Sequence, residues 1–244
     1  MLTMPRALPV PITVTDATDL APRARRIRFT DMTAIESRKP ASYLSLSFTD
    51  PGQPAVADGG RRSDRRTFTP RWFDDQGSMT VDFVLHGSGP ASTWANRAMI
   101  GDVIWAGPTR GGYDVPPAGS TVVLIGDDTA IPAIGTIIEA LDDSVRVTAI
   151  IEVIDGTDER EVTAARLIDP IWIHRGSDPG QTGVVTANLI GALEVPNDSY
   201  WWIAGEREAV RSLRDTIQES KAVPKERLSI NAHWRLQATD PRRR

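Results

Sequence analysis

The sequence predicts two domains in series, a six-stranded antiparallel β-barrel followed by a Rossmann-like, doubly wound parallel sheet. Three observations carry this prediction. Roughly the first 115 residues alternate short apolar runs with turn residues. Pro116-Pro117-Ala118-Gly119 then punctuates the chain. Beyond it, continuous apolar strands alternate with segments of helical spacing, the signature of an α/β sheet. The expected domains are therefore 1–115 and 116–244, and 244 residues suffice for two cores.

In the first domain the predicted strands are Pro9–Asp16, Ala24–Phe29, Ser42–Phe48, Arg66–Pro70, Met79–Leu85 and Asp102–Ala106. Thr49–Asp64, rich in Pro, Gly, Asp and Arg, has little to bury and reads as an exposed loop. In the second domain Thr121–Ile125 reads as a central strand and Ala130–Leu141 as a helix, with Ile131, Ile134, Ile137 and Ile138 on its apolar face. Val145–Ile154 is the next strand, Asp158–Ala165 a short helix, and Ile171–Ile173 a third strand. Tyr200–Ala204, a helix over Glu206–Ser220 and a last strand at Leu228–Trp234 complete a sheet of about five strands.

Composition narrows the chemistry. Without cysteine there is no disulfide, thiolate nucleophile, or cysteine-ligated zinc or iron–sulfur cluster. His86, His174 and His233 stand far apart and lack ligand spacing, so no dedicated metal site is expected. A formal net charge of −4 argues against nucleic-acid binding, and the arginine pairs at 61–62 and 65–66 and the Arg242–Arg244 tail read as solvated surface. No apolar run is long enough for a membrane span, and the N-terminus lacks a signal pattern, which together predict a soluble cytoplasmic protein.

Four segments could carry function. In Asp82-Phe-Val-Leu-His86-Gly87-Ser88-Gly89-Pro90-Ala91-Ser92-Thr93-Trp94, a strand breaks into a Gly-rich turn and restarts as a helix. Gly87 and Gly89 permit close approach, Pro90 suits the first helical position, and Ser92 adds a hydroxyl near free N–H groups; the arrangement suits an anion or simply a tight corner. On the strand Arg66-Thr67-Phe68-Thr69, alternation puts Arg66 and Phe68 on one face, as a cation–aromatic pair for a ligand or as ordinary packing. Gly126-Asp127-Asp128-Thr129-Ala130-Ile131-Pro132 lies at the carboxyl end of the first parallel strand. It lacks the Gly-x-Gly-x-x-Gly fingerprint, its carboxylates would repel a pyrophosphate, and Asp128 or Thr129 suits a helix cap. Ala204-Gly205-Glu206-Arg207 repeats the strand–Gly–helix pattern, with Glu206 a first-turn acid and Arg207 or Arg175 available to a nucleotide phosphate. Glu152 and Asp155, near the end of the second parallel strand, favour NADH over a 2′-phosphate.

In this order the motifs resemble the siderophore-interacting proteins, a flavin-containing branch of the ferredoxin–NADP reductase superfamily. The resemblance rests on Arg66-Thr-Phe68-Thr69-Pro-Arg71, Asp82–His86 with Gly89-Pro-Ala91-Ser92-Thr-Trp94, Gly126-Asp127-Asp-Thr129-Ala130-Ile-Pro132, Trp172-Ile-His-Arg175, Trp202-Ile-Ala-Gly205-Glu206 and Trp234-Arg235. It implies an FAD-binding barrel, an NAD(P)H-binding α/β domain and reduction of ferric siderophores by electrons from NADH, NADPH or ferredoxin through FAD. Alternatives are a flavin reductase or diaphorase with another acceptor, and a non-catalytic siderophore-binding protein.

Carried onto this chain, the resemblance gives Arg66 the pyrophosphate, Phe68 the isoalloxazine face and Thr69 a hydrogen bond near the reactive flavin nitrogen. Val84, Leu85 and His86 line the ring and ribityl chain; Gly89, Ala91 and Ser92 hold phosphate; Asp127, Thr129 and Ala130 face the flavin–nicotinamide side. Arg175, Gly205, Glu206 and Arg207 fall to NAD(P)H, and Trp234 and Arg235 to the ferric siderophore. No catalytic acid, base or metal is required, and a monomer is expected. Two departures stand out: Phe68 replaces the family's usual tyrosine, and Asn231-Ala-His-Trp-Arg235 replaces a Gly-Tyr-Trp-Arg motif.

Overall fold

A computed structural model of the chain describes residues 9–30, 39–48, 64–87, 89–166 and 168–236. The predicted 49–64 loop and the arginine tail lie outside these residues, apart from Asp64. By contacts the chain divides into two compact units, one of residues 1–115, 132–140 and 160–164, the other of 116–131, 141–159 and 165–244.

The first unit is built on a seven-stranded antiparallel sheet. Its strands are β1 (Val10–Ala21), β2 (Ala24–Thr30), β3 (Leu44–Ser47), β4 (Arg65–Phe68), β5 (Pro70–Phe73), β6 (Met79–Val84) and β7 (Val103–Ala106), in the order β4-β3-β7-β1-β2-β6-β5. The predicted fourth strand is thus two. Pro70 has no N–H with which to continue pairing to β3, and from that residue the chain pairs with β6 instead. Because β4 and β5 are consecutive yet terminate opposite ends of the order, the sheet curls until its edges meet at Thr69. Alternate side chains point inward, and Ile12, Val14, Ile27, Phe29, Leu44, Leu46, Met79, Val81, Phe83 and Ile104 form one core.

Helix α1 (Pro90–Arg97) adds Trp94 to that core, with ring centroids 5.4 Å from Phe48, 5.7 Å from Phe83 and 6.2 Å from Phe29. Its carboxyl end is gripped by Arg25, which donates to the carbonyls of Ala95 (3.0 Å), Asn96 (2.8 Å) and Ala98 (3.3 Å). That cation satisfies orphan carbonyls at the negative end of the helix.

The second unit carries a parallel sheet of β8 (Thr121–Asp127), β9 (Arg146–Val153), β10 (Ile171–His174), β11 (Tyr200–Glu206) and β12 (Leu228–Trp234), ordered β10-β9-β8-β11-β12. The order reverses between β8 and β11, as doubly wound sheets require. Every residue of β8 is buried, which explains its unbroken apolar run. After β8 comes a 3-10 turn at Asp128–Ala130 and then helix α2 (Ile131–Ala140), whose residues 132–140 belong to the first unit. Helices α3 (Val184–Ala192) and α4 (Arg207–Lys221) pack on one another, with Ile190, Val210, Leu213 and Ile217 joining Trp201 and Ile203 in a second core.

Two expectations are corrected. Asp158–Ala165 is not a helix; a 3-10 turn at Gly156–Asp158 is followed by irregular chain. The backbone there serves the first unit instead, since the Val162 carbonyl accepts from Arg71 (3.0 Å) and the Thr163 hydroxyl donates to Glu139 (2.6 Å). Arg71, 2 % exposed, also pairs with both oxygens of Glu139 (2.9 and 2.5 Å). Helix α3 was not anticipated, because Val184-Val-Thr-Ala-Asn-Leu-Ile shows no polar stripe of helical period.

Candidate functional site

In the first unit the predicted anion turn is open. Gly89, extended at φ −65° and ψ 154°, is the N-cap of α1; no side chain caps the helix, and Pro90 occupies its first turn. The amides of Ala91 and Ser92 lie ahead of the first intrahelical bond, from the Thr93 N–H to the Gly89 carbonyl (2.9 Å). Gly87 has φ +56°, a conformation other residues adopt at a cost, and no described residue beyond the chain neighbours places an atom within 4 Å of where a Cβ on Gly87 or Gly89 would lie. Ser92 is buried at 7 % exposure, and its hydroxyl is paired with no other described residue. Free amides, the positive end of a helix dipole and open space lie together here, and the Ser92 hydroxyl belongs to the same turn. The arrangement fits a phosphate.

Strand β4 carries the cation–aromatic pair. Arg66 is exposed and donates to the Arg65 carbonyl (2.8 Å). Phe68 is half-buried, its ring 4.7 Å from Phe83 and 6.0 Å edge-on to Phe48. Packing fixes the ring while leaving part of it accessible, so the core reading and the ligand reading of Phe68 are compatible. Thr69, Val84 and Leu85 are half-buried and His86 is exposed. The Leu85 amide is taken by the Arg23 carbonyl (2.8 Å).

In the second unit, Asp127, Thr129 and Glu206 are engaged with each other. Asp127, 3 % exposed, accepts from the Thr129 amide (2.9 Å) and hydroxyl (2.5 Å), the Glu206 amide (3.1 Å) and Trp234 Nε1 (2.7 Å). The cap of the turn is therefore Asp127, not Asp128 or Thr129. Ala130 is fully buried. The Thr129 hydroxyl also lies 3.2 Å from His233 Nδ1. Glu206 caps α4, accepting from the amides of Glu208 (2.6 Å) and Ala209 (2.9 Å), and from Leu236 (3.0 Å). Burial pushes its carboxyl upward, but these backbone donors outweigh burial and hold it below the ordinary glutamate value.

Glu152, next to last in β9, accepts from the Gly183 amide (2.9 Å) and the Thr186 hydroxyl (3.0 Å). Burial raises its carboxyl above the usual range, despite those donors and Arg175. The Arg175 side chain is 7 % exposed, 3.6 Å from Glu152 and 3.8 Å from Asp128. Asp155 caps the next turn at the Thr157 amide. Gly205 has φ +151°, and a Cβ there would meet Asp127 Oδ2 at 2.7 Å. Arg207 and Arg235 are exposed, and Trp234 is half-buried on Asp127. The importance of Glu152 as an internal anchor is not legible in the sequence; the one signal is a carboxylate within the apolar run Ala149–Val153.

Among the described residues no cluster of His, Asp and Glu is placed to hold a metal, and no helix is long and apolar enough to cross a membrane.

Comparison with known proteins adds an independent line. Residues 13–111 match the model of the siderophore-interacting FAD-binding domain, and residues 119–237 that of siderophore-interacting protein. An uncharacterized protein of Mycobacterium tuberculosis is 32 % identical over 224 residues, covering 82 % of this chain and 79 % of that one. Ferric vibriobactin reductase ViuB of Vibrio cholerae is 29 % identical over 178 residues, 70 % of this chain and 64 % of ViuB. A siderophore utilization protein from T. fusca superposes with a TM-score of 0.79 at 26 % identity, over 98 % of this chain and 97 % of the other. Ferredoxin-NADP+ reductase from Plasmodium falciparum, at 11 % identity, shares the fold over 92 % of this chain and 96 % of its own, with a TM-score of 0.71.

Proposed function

The chain belongs to the siderophore-interacting protein family, and from that premise we propose that it binds FAD in its first unit and reduces the iron of ferric siderophores. The observation that carries the reading is the uncapped start of α1, with Ser92 buried and unpaired, inside the stretch that matches an FAD-binding domain. The similarity to ViuB, a ferric vibriobactin reductase, supports the acceptor.

The residues fit the cofactor. The Ala91 and Ser92 amides and the Ser92 hydroxyl would take pyrophosphate oxygens, with Arg66 supplying a positive charge. Phe68, held by Phe83 and Phe48, would stack on the isoalloxazine. Thr69 would donate or accept at the ring edge, and Val84, Leu85 and His86 would follow the ribityl chain. When bound, FAD supplies the conversion between a donor's electrons and the single electron that Fe(III) accepts. The protein's own part is to bind, orient and neutralise, so no acid–base residue is needed. Reduction weakens the substrate's hold on its metal, because hard oxygen ligands bind Fe(II) less tightly. Trp234 and Arg235 are our candidates for the siderophore. NAD(P)H and ferredoxin are the two donor classes. We assign the protein to the cytoplasm as a monomer with no nucleic-acid or membrane partner, and place the domain boundary at 115/116.

The test is direct. Purified protein should be yellow or take up added FAD, and with a chemical reductant it should turn a ferric siderophore into Fe(II) trapped by a ferrous chelator. Protein that binds no FAD would be a siderophore-binding module instead. A flavoprotein that reduces quinones but no ferric siderophore would be a diaphorase.

A further inference from the structure

We infer that His233 is the acid of iron release, its imidazolium passing a proton from Nε2 to a donor oxygen of the siderophore as the reduced metal leaves. The inference goes beyond the electron path and rests on the function proposed above. Electron transfer itself needs no acid or base. Parting iron from its chelator does, because the anionic hydroxamate or catecholate oxygens that let go of the metal take up protons, and a positioned acid speeds such a step.

In this chain His233 stands where the family motif has tyrosine. The pairing of β12 with β11 steps from Ala232 opposite Gly205 to Trp234 opposite Glu206, so His233 is the extra residue of a β-bulge. Bulges re-aim side chains and are over-represented next to active sites. On a regular strand His233 and Trp234 would face opposite ways. Here both reach the turn that follows β8: Trp234 Nε1 donates to Asp127 (2.7 Å), and His233 Nδ1 lies 3.2 Å from the Thr129 hydroxyl.

That turn fixes the tautomer. Thr129 has one hydroxyl proton and gives it to Asp127 Oδ1 (2.5 Å). Toward His233 the hydroxyl can therefore only accept, which puts a proton on Nδ1 and leaves Nε2 as the atom that gains or loses one. A ring oriented by a second group, itself held by a third, is the arrangement that general acid–base sites use. His233 is exposed, and it lies at the carboxyl end of the sheet, where open parallel sheets receive ligands. Its chain neighbours are Trp234 and Arg235, the two residues proposed above for the siderophore.

The surrounding charges suit an acid. Desolvation lowers the imidazole's pKa below its ordinary value, against Asp127 and Thr129, which favour the charged ring. Asp128 lies 3.8 Å from Arg175, Glu206 is turned onto the amides of α4, and β11 adds the uncharged Trp202, edge-on at 6.4 Å. The imidazolium is thus a stronger acid than free histidine. In the step, Fe(III) takes one electron from the reduced flavin, and an Fe–O bond breaks with its pair left on oxygen. The His233 Nε2–H bond breaks as an O–H bond forms, and the neutral ring is reprotonated by solvent.

The test uses the full chain loaded with FAD, reduced by dithionite and mixed anaerobically with ferrioxamine B, a ferric trihydroxamate, while a ferrous chelator reports Fe(II). The ratio of the parent's rate to that of His233→Gln should be about tenfold or more near pH 4.5 and fall toward one as pH rises to about 8, because the acid form is lost through the imidazole's lowered value. Thr129→Val, which frees the ring, should share in that loss, and Thr129→Ser, which keeps the hydroxyl, should restore the parent's profile. A ratio that stays at one or rises with pH overturns the inference, as does Thr129→Val matching the parent. A second arm needs no iron: nitrogen NMR of the oxidised, FAD-loaded chain should show neutral His233 protonated at Nδ1, and an Nε2–H tautomer overturns the inference. A parent that reduces ferrioxamine B with a flat ratio keeps the reductase function and loses only the acid. A parent that passes no electron to ferrioxamine B loses both.

Discussion

Helices α1 and α4 begin in opposite ways. At α1 no side chain caps the helix, no described residue beyond the chain neighbours fills the space beside the glycines before it, and the Ser92 hydroxyl is paired with no other described residue. At α4 the first amides are closed by Glu206, and the glycine before it is filled by Asp127. Both segments read alike as sequence: an apolar strand, a glycine, then a helix. What separates them is the residue at the cap position. Gly89 offers the helix no acceptor, whereas Glu206 brings its own anion. An open helix start is a place for a ligand, and a self-capped one is part of the scaffold.

The comparison can be broken most sharply at Asp127. Asp127→Ala would leave Trp234 Nε1 and two buried amides without partners and should cost about 3 kcal/mol or more, read by urea denaturation. If stability were unchanged, the carboxylate would not be structural and could serve a ligand. Phe68→Ala comes next. It should lower stability by about 2 kcal/mol, since the ring is only half-buried, and weaken FAD binding in the refolded fraction. Normal FAD affinity there would make Phe68 a core residue alone.

Ser92→Ala should weaken FAD by about 1–2 kcal/mol in a fluorescence titration with almost no change in stability, because the hydroxyl has no partner among the described residues to lose. An unchanged dissociation constant would remove the phosphate from α1. The smallest effects are in pH dependence, where the two buried glutamates have opposite signs. Glu206 is held below its ordinary value, so its contribution is present above that value and is lost as pH falls through the lowered one. Glu152 is raised, so its contribution is present below the ordinary value and is lost as pH rises through the raised one. Stability curves from pH 3 to 8 for Glu206→Gln and Glu152→Gln should therefore depart from the parent curve in opposite senses. Parallel departures would refute the assignment.

Much of the fold was legible because burial leaves a periodic trace. The final strand was predicted as Leu228–Trp234 and is found there, and the helix expected over Glu206–Ser220 is found at Arg207–Lys221 with Val210, Leu213 and Ile217 buried at helical spacing. Helix α3 escaped because residues such as Val184, Val185, Leu189 and Ile190 leave no polar face to contrast with an apolar one. The β4–β5 division was hidden because a proline inside a strand-like run marks a break without saying which neighbour takes over. In the site, the α1 turn could be read locally, since everything it uses lies within six residues. The roles of Asp127, Glu152 and Arg175 could not. Their partners are 79, 31 and 23 residues away along the chain, so an acid that repels a phosphate and an acid that replaces one look the same in sequence.

The edge-to-edge passage at Thr69 also shapes how the molecule assembles. β5 pairs with β6 across a short turn, Phe73 opposite Met79, and β4 pairs with β3, Ser47 opposite Arg65. The distant pairings are those of β7 with β1 and β3, Thr13 opposite Val103 and Ser47 opposite Trp105, and they are slow relative to local hairpins. The dipeptide Phe68–Thr69 joins the β3–β4 pair to the β5–β6 pair, so it is held from both sides once the sheet has curled. Its geometry is set by topological closure rather than by local propensity, so the strand that would receive the cofactor is completed as the sheet closes.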